Sequence, residues 1–202
     1  MQVRDHAGEG SFSPMLRRYT LEEFWALPEP AAGHHYELIE GVLFMVPPAD
    51  YPHDDLDARL NKLLLLFLIQ RGIAGDVHHP QAAIYRDVAA GTYLEPDMMY
   101  VSTELKERML KKRSSADIVF EYSSKSTANY DRTTKADTYL ALGVRELWLV
   151  DSDDSSIEVR YARRQDNQPL WFIRNFGKGE WAESEVLQGW RVSVDELFAG
   201  LV

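Results

Sequence analysis

Cysteine is absent from the 202-residue sequence, which excludes disulfides, thiolate zinc sites and cysteine nucleophiles. Positive charge is in short supply: 22 Lys plus Arg stand against 32 Asp plus Glu, a formal charge of −10. That balance speaks against a protein that coats nucleic acid through bulk charge. It leaves room for one that meets nucleic acid locally and gathers carboxylates to hold a metal. Long apolar runs are missing too. The longest, Leu63 to Ile69, has seven residues, where a helix spanning a bilayer needs roughly 20. Residues 1–16, rich in Gly, Ser and charge, lack the apolar stretch of a secretory signal and are expected to form a flexible extension. The expectation is a soluble, cytoplasmic protein with no membrane partner and a single domain over 17–202. A chain of this size buries about 70% of the surface its unfolded form exposes, so a core forms without covalent staples.

What is present reads as a mixture of helices and strands. Thr20 with Glu23 forms a capping box ahead of a short helix that Pro28 and Pro30 stop. Tyr36 to Val46 is two apolar stretches joined by Glu40-Gly41, a hairpin signal. Asp54, Asp55 and Asp57 crowd the first turn of the longest predicted helix; Leu56, Leu60, Leu63, Leu64 and Phe67 give its apolar face, and Gly72 ends it. Short strands are predicted at 76–79, 82–85, 97–101 and 118–122, with a charged segment at 104–113 and breaks at Pro80 and around Gly91. A helix over 131–142 closes at Gly143, and Glu146 to Val150 is an apolar strand ending in Asp151. Strand-like stretches come after it at 157–161, 170–174 and 190–194. The fold class is therefore α/β or α+β, with a mixed sheet and no internal repeats.

One constellation carries chemistry. Pro96-Asp97 opens a short apolar strand, and Ile118-Val119-Phe120 leads into Glu121 at the end of a strand that reads as fully buried. A lone buried carboxylate costs several kcal/mol, so Glu121 must be paired, hydrogen-bonded or bound to a cation. A polar turn containing Ser124, Ser126, Thr127 and Asn129 then leads to a helix in which Asp131, Lys135 and Tyr139 share a face at a spacing of four. Two carboxylates at adjacent strand ends with a nearby lysine make an oxygen-rich site suited to Mg²⁺ or Mn²⁺. Such a metal polarises a phosphate and acidifies a bound water, while the ammonium steadies developing negative charge.

The order Tyr36-Glu37-Leu38-Ile39-Glu40-Gly41, His53 at the mouth of a helix, Pro96-Asp97, Val119-Phe120-Glu121, Ser124, Ser126-Thr127, Asp131, Lys135, Tyr139, Gly143-Val144 and Leu147-Trp148-Leu149-Val150-Asp151 resembles the Uma-type family of restriction-endonuclease-like proteins. That family lies in the PD-(D/E)XK nuclease superfamily. The resemblance spans about residues 17–162, and its specificity comes from the order and spacing of pieces that are individually weak. It implies a restriction-endonuclease-like core, a central mixed sheet flanked by helices with a metal site at one edge. It further implies metal-dependent hydrolysis of phosphodiester bonds in DNA, with Asp97 and Glu121 as metal ligands and Glu37 as an additional acid. The superfamily's lysine sits two residues after the second acid, where this sequence has Ser123; the Uma-type pattern moves it to the following helix, where Lys135 stands. Lys125 is a second candidate, as a phosphate contact, a substitute lysine or a solvated turn residue. His53 is a candidate substrate contact.

Each reading has a plainer counterpart. Asp97 is also explained as a strand-start residue bonding a backbone amide, Lys135 as a surface partner of Asp131, Glu37 as an outward residue of a half-exposed hairpin, and His53 as a helix-start residue. His78-His79 resembles a metal pair, but neighbours on a strand face opposite sides. His34-His35 reads as a loop feature. Lys106, Arg108, Lys111, Lys112 and Arg113 form the one basic concentration, read either as a phosphate-backbone contact or as a solvated helix. Two other functions fit the same residues: a nuclease-like fold kept as a binding or assembly module without turnover, and a metal-dependent hydrolase of small phosphoesters. Exposed strand edges in the C-terminal half, and the need to cut two strands, point to a homodimer.

Overall fold

The computed structural model describes residues 17–48, 51–87, 90–110, 112–123 and 128–201. The N-terminal extension expected at 1–16, the Ser124–Thr127 turn with Lys125, and Lys111 lie outside these residues. Four layers stack in sequence. Helices α2 (His53–Arg71) and α6 (Val194–Phe198) cover one face of a six-stranded sheet. The other face meets a helical segment and a four-stranded antiparallel sheet, and α1 (Leu21–Trp25) covers the outside of that second sheet.

Strands β1 (His35–Ile39), β2 (Val42–Val46), β4 (Ile84–Arg86) and β5 (Thr92–Leu94) form the smaller sheet, in the order β2-β1-β5-β4. Its β1–β2 hairpin turns at Glu40 and Gly41, both at positive φ, the geometry a two-residue turn requires. Gly41 is further constrained because a Cβ there would meet the Arg18 Cβ at 2.9 Å. Both faces of β1 are covered: Leu38 packs with Leu21 and Phe24, while Ile39 joins Ala136 and Tyr139 on the opposite side.

Strands β3 (Gly75–His78), β6 (Met98–Ser102), β7 (Ile118–Ser123), β8 (Glu146–Asp151), β9 (Ser156–Gln165) and β10 (Gln168–Phe176) form the larger sheet, in the order β10-β9-β8-β7-β6-β3. Only the β7–β8 pair is parallel among the described strands. A parallel pair needs a crossover, and the segment 128–141 supplies it: α4 (Ala128–Tyr130), a π-turn (Asp131–Lys135) and α5 (Ala136–Ala141). Alternation along the strands divides the core. Ile118, Phe120, Tyr122, Trp148 and Val150 face α2, where Leu56, Leu60, Leu64 and Leu68 are buried; Val119, Leu147 and Leu149 face α5. Gly72 ends α2 in the left-handed conformation, as its position after the apolar face predicts.

Several elements differ from the sequence reading. The charged segment contains helix α3 (Thr103–Met109), capped by Ser102 and without buried residues, in keeping with the solvated-helix reading. Strand β5 occupies the region read as a break, and β11 (Trp181–Glu183), not predicted, pairs with β12 (Arg191–Ser193), which falls in the stretch predicted at 190–194. The helix expected over 131–142 is not regular. Thr133 and Thr138 hydrogen-bond back to the carbonyls of Asn129 and Thr134, contacts that loosen the ordinary ladder, and the backbone widens into the π-turn.

Candidate active site

The antiparallel β6–β7 pairing sets Met98 opposite Phe120, so the start of β6 lies beside the end of β7. Asp97 and Glu121 therefore arrive at the same end of the sheet, and both line a cavity of about 300 Å³ together with His53, Ser123, Asp131 and Lys135. His35, read as a loop residue, begins β1 and lines this cavity as well.

Tyr122, the residue after Glu121, donates its backbone amide to Asp97 Oδ2 at 2.8 Å. His53 Nε2 lies 3.1 Å from Asp97 Oδ1, and the His53 ring meets the Tyr122 ring edge-on at 4.9 Å between centroids. The Asp97 side chain keeps 23% of its surface exposed. Burial pushes its carboxyl up, but His53, then Lys135 and the Tyr122 amide, outweigh that and hold it below the usual range. Burial likewise works against a charged His53, and the Asp97 carboxylate overrides it to raise the imidazole above its ordinary value. A second pair adjoins the first: Asp57 bonds the Tyr122 hydroxyl at 3.2 Å and His79 Nδ1 at 3.3 Å. His79 thus turns to Asp57.

Lys135 occupies the centre of the buried charges. Its Nζ stands 2.9 Å from Glu121 Oε1, 3.2 Å from Glu37 Oε1 and 4.0 Å from Asp131 Oδ1. Glu37 is fully buried rather than outward; β1 turns it toward the helical segment, where it also accepts from the Glu95 amide and the Tyr130 hydroxyl. Tyr139 donates to Glu121 Oε1. Burial, with Asp97, Asp131 and Glu37 close by, pushes the Glu121 carboxyl well above the usual range even beside Lys135. Burial disfavours the Lys135 ammonium, but Glu121, Glu37 and Asp131 among its neighbours hold it well above its ordinary value. Lys135 is thus a single ammonium among the carboxyl groups of Glu121, Glu37 and Asp131.

The basic residues lie elsewhere. Strand β6 leads from Asp97 to α3, so Lys106 and Arg108 sit at the far end of that strand. Lys106 pairs with Asp76, Lys112 with Asp87, and Arg113 donates to the Ala83 carbonyl. Two residues near the site were missed in sequence. Tyr130 holds Glu37, and Asp151 anchors Arg132 at 2.8 Å. The acid ending an apolar strand was the available signal for Asp151; nothing in the sequence marks Tyr130.

A mixed sheet flanked by helices, with two acids at neighbouring strand ends and a lysine beside them, defines a restriction-endonuclease-like protein. The chain belongs to the Uma2 family, described as "Putative restriction endonuclease", whose pattern matches residues 21–202. The match extends past residue 162 through the C-terminal strands. The fold is similar to a crystal structure described as "a putative nuclease belonging to DUF820" from Anabaena variabilis ATCC 29413, with TM-score 0.69 and 17% identity over 91% of this chain and 99% of that one. No curated protein matches the sequence. Among the described residues, no helix is long and apolar enough to cross a membrane.

Proposed function

We propose that this chain is a metal-dependent endonuclease that hydrolyses phosphodiester bonds in DNA, with Mg²⁺ or Mn²⁺ held by Asp97 and Glu121. The observation that carries the reading is the convergence of Asp97, Glu121 and Lys135 on one cavity, with the lysine nitrogen 2.9 Å from Glu121. The donor set fits a hard cation because Asp97 and Glu121 offer carboxyl oxygens to the same cavity. No three His, Asp or Glu side chains among the described residues converge as an all-protein cage. Mg²⁺ keeps several waters and binds through one or two carboxylates.

When bound, the cation polarises a phosphate oxygen and lowers the pKa of a bound water. The chain's own residues do the rest. His53 and the Tyr122 amide fix the Asp97 carboxylate by engaging both of its oxygens. Lys135 supplies a fixed positive charge for the developing negative charge on the phosphate. Glu37, secured by Tyr130 and the Glu95 amide, holds the ammonium from the side away from β7. His53 is accordingly read as a support for Asp97 before a substrate contact.

Purified protein with Mg²⁺ or Mn²⁺ should nick plasmid DNA, and EDTA, Asp97→Ala or Glu121→Gln should each abolish nicking. Unchanged cleavage in both variants refutes the assigned site. Metal binding by calorimetry without DNA cleavage would redirect the reading to a small phosphoester substrate; no binding at millimolar metal would leave a binding module.

A further inference from the structure

Strand alternation gathers a second set of charges on the face that β7, β8 and β9 turn to the helical crossover: Asp151 on β8, and Glu158 and Arg160 on β9. None of them has a part in the chemistry above. Asp151 is buried, and its Oδ2 accepts from Arg132 Nη2 at 2.8 Å. Its Oδ1 accepts the amides of Asp153 and Asp154, each at 3.1 Å, and so shapes the β8–β9 turn. Arg132 Nε also approaches Glu158 Oε2 at 3.6 Å. Arg160 donates to Glu158 through Nε and, at 2.8 Å, to the backbone carbonyl of Arg132 through Nη1.

The attachment point is what gives this network a consequence. Arg132 is the second residue of the π-turn and Lys135 is its last. A π-turn inserts one residue into the α ladder and leaves a backbone carbonyl in need of another donor; Arg160 supplies one at Arg132. Losing that extra residue would rotate the C-terminal part of the crossover by roughly 100° about the helix axis relative to its N-terminal part. Lys135 would then leave its place between Glu37 and Glu121. Arg132 keeps 32% of its side chain exposed in this part-buried pair, and such pairs add little net stability, so stability alone gives a weak reason for charges here.

We propose that Arg132 and Asp151, with Arg160 on the Arg132 carbonyl, are positioning residues that clamp the π-turn and so set the Lys135 amino group against Glu121 and Glu37. The catalytic part of this inference rests on the nuclease reading of Lys135; the clamp itself does not. Asp151 ties the same device to the cavity wall, because the turn it shapes carries Ser152, which lines the cavity.

The test uses Asp151→Asn and Arg132→Met in the full chain. The asparagine side chain keeps an oxygen for the turn amides but removes the anionic partner of Arg132, so the turn and the clamp are separated. In both variants kcat for metal-supported DNA cleavage should fall roughly tenfold or more, as expected for a misplaced group, with KM and Mn²⁺ affinity within about twofold. Amide hydrogen exchange across 131–136 should accelerate by about tenfold or more, since local opening governs it. Arg132→Lys, which retains one charged donor, should recover part of kcat. An unchanged kcat per folded molecule overturns the positioning role, and unchanged exchange overturns the clamp. Should the unmodified protein cleave no DNA, the nuclease reading fails by itself; the exchange comparison then still decides the clamp, faster exchange in Asp151→Asn supporting it and equal exchange refuting it.

Discussion

His53 Nε2 stands 3.1 Å from Asp97 Oδ1, and the Tyr122 amide holds the other oxygen of the same carboxylate at 2.8 Å. The acid at the start of β6 is thus oriented by the first residue of α2 and by the neighbour of the second acid. His53→Ala frees one side of Asp97 and should weaken Mn²⁺ binding by about 10–100-fold, the range typical when an outer partner of a metal ligand is lost. His53→Gln, which restores a donor, should recover much of it. Isothermal titration calorimetry decides; equal affinity in His53→Ala would show that the imidazole does not support the carboxylate.

Lys135 is the cation at the centre of Glu37 and Glu121, all three nearly inaccessible to water. Removing one member of such a buried set leaves uncompensated charge, so Lys135→Met should cost about 3–5 kcal/mol of stability. Adding Glu37→Gln to Lys135→Met should return part of that loss, because the remaining charge is then smaller. Urea denaturation of the two variants measures it, and a double variant no more stable than the single one would contradict the electrostatic origin.

Glu146 gives a pH prediction away from the acid–lysine site. It is fully buried and accepts from the Trp148 indole, the Ser184 hydroxyl and the Val186 amide. Burial nevertheless raises its carboxyl above the ordinary value of 4.5, outweighing those donors. A carboxyl raised on folding favours the native state most when protonated, so its contribution is fully present below the unfolded value and is lost as pH rises through the folded one. Between those limits stability should fall with rising pH less steeply in Glu146→Gln than in the unmodified protein. Identical pH profiles of the denaturation midpoint would show that Glu146 does not titrate in this window.

Ser123 has a buried hydroxyl with no hydrogen-bond partner among the described residues. Deleting an unsatisfied buried hydroxyl removes its desolvation cost, so Ser123→Ala should leave stability unchanged or raise it by up to about 1 kcal/mol. A loss of similar size in a urea titration would mean the hydroxyl is bonded in solution.

Much of the fold was legible because its signals are local. The Thr20–Glu23 capping box, the Glu40-Gly41 turn and the Gly72 stop act over a few residues, and each element forms where they place it. Strand β12 falls within the stretch predicted at 190–194, whereas β5 and β11, of three residues each, carry too little periodicity to read. In the site, Asp97, Glu121 and Lys135 were marked by an acid after proline, an acid ending an apolar run and a lysine one turn from an acid. What the sequence could not display was the partner of each. The burial of Glu37 depends on two sheets meeting across it, and the π-turn carbonyl of Arg132 accepts from Arg160, 28 residues away. Spacing of four placed Lys135 beside Asp131, and the two lie within 4.0 Å although the backbone that carries them is not a regular α-helix.

Glu37 comes from the small sheet, Glu121 from the large one, and Lys135 from the crossover between them. The seam between the two sheets is therefore fastened by the same three charges that serve the proposed reaction. In the history of such a protein, this makes quiet decay of activity difficult. A lineage released from selection for cleavage cannot drop its lysine alone without also loosening its two sheets, so a descendant without activity should have replaced the acids and the lysine together, or kept all three.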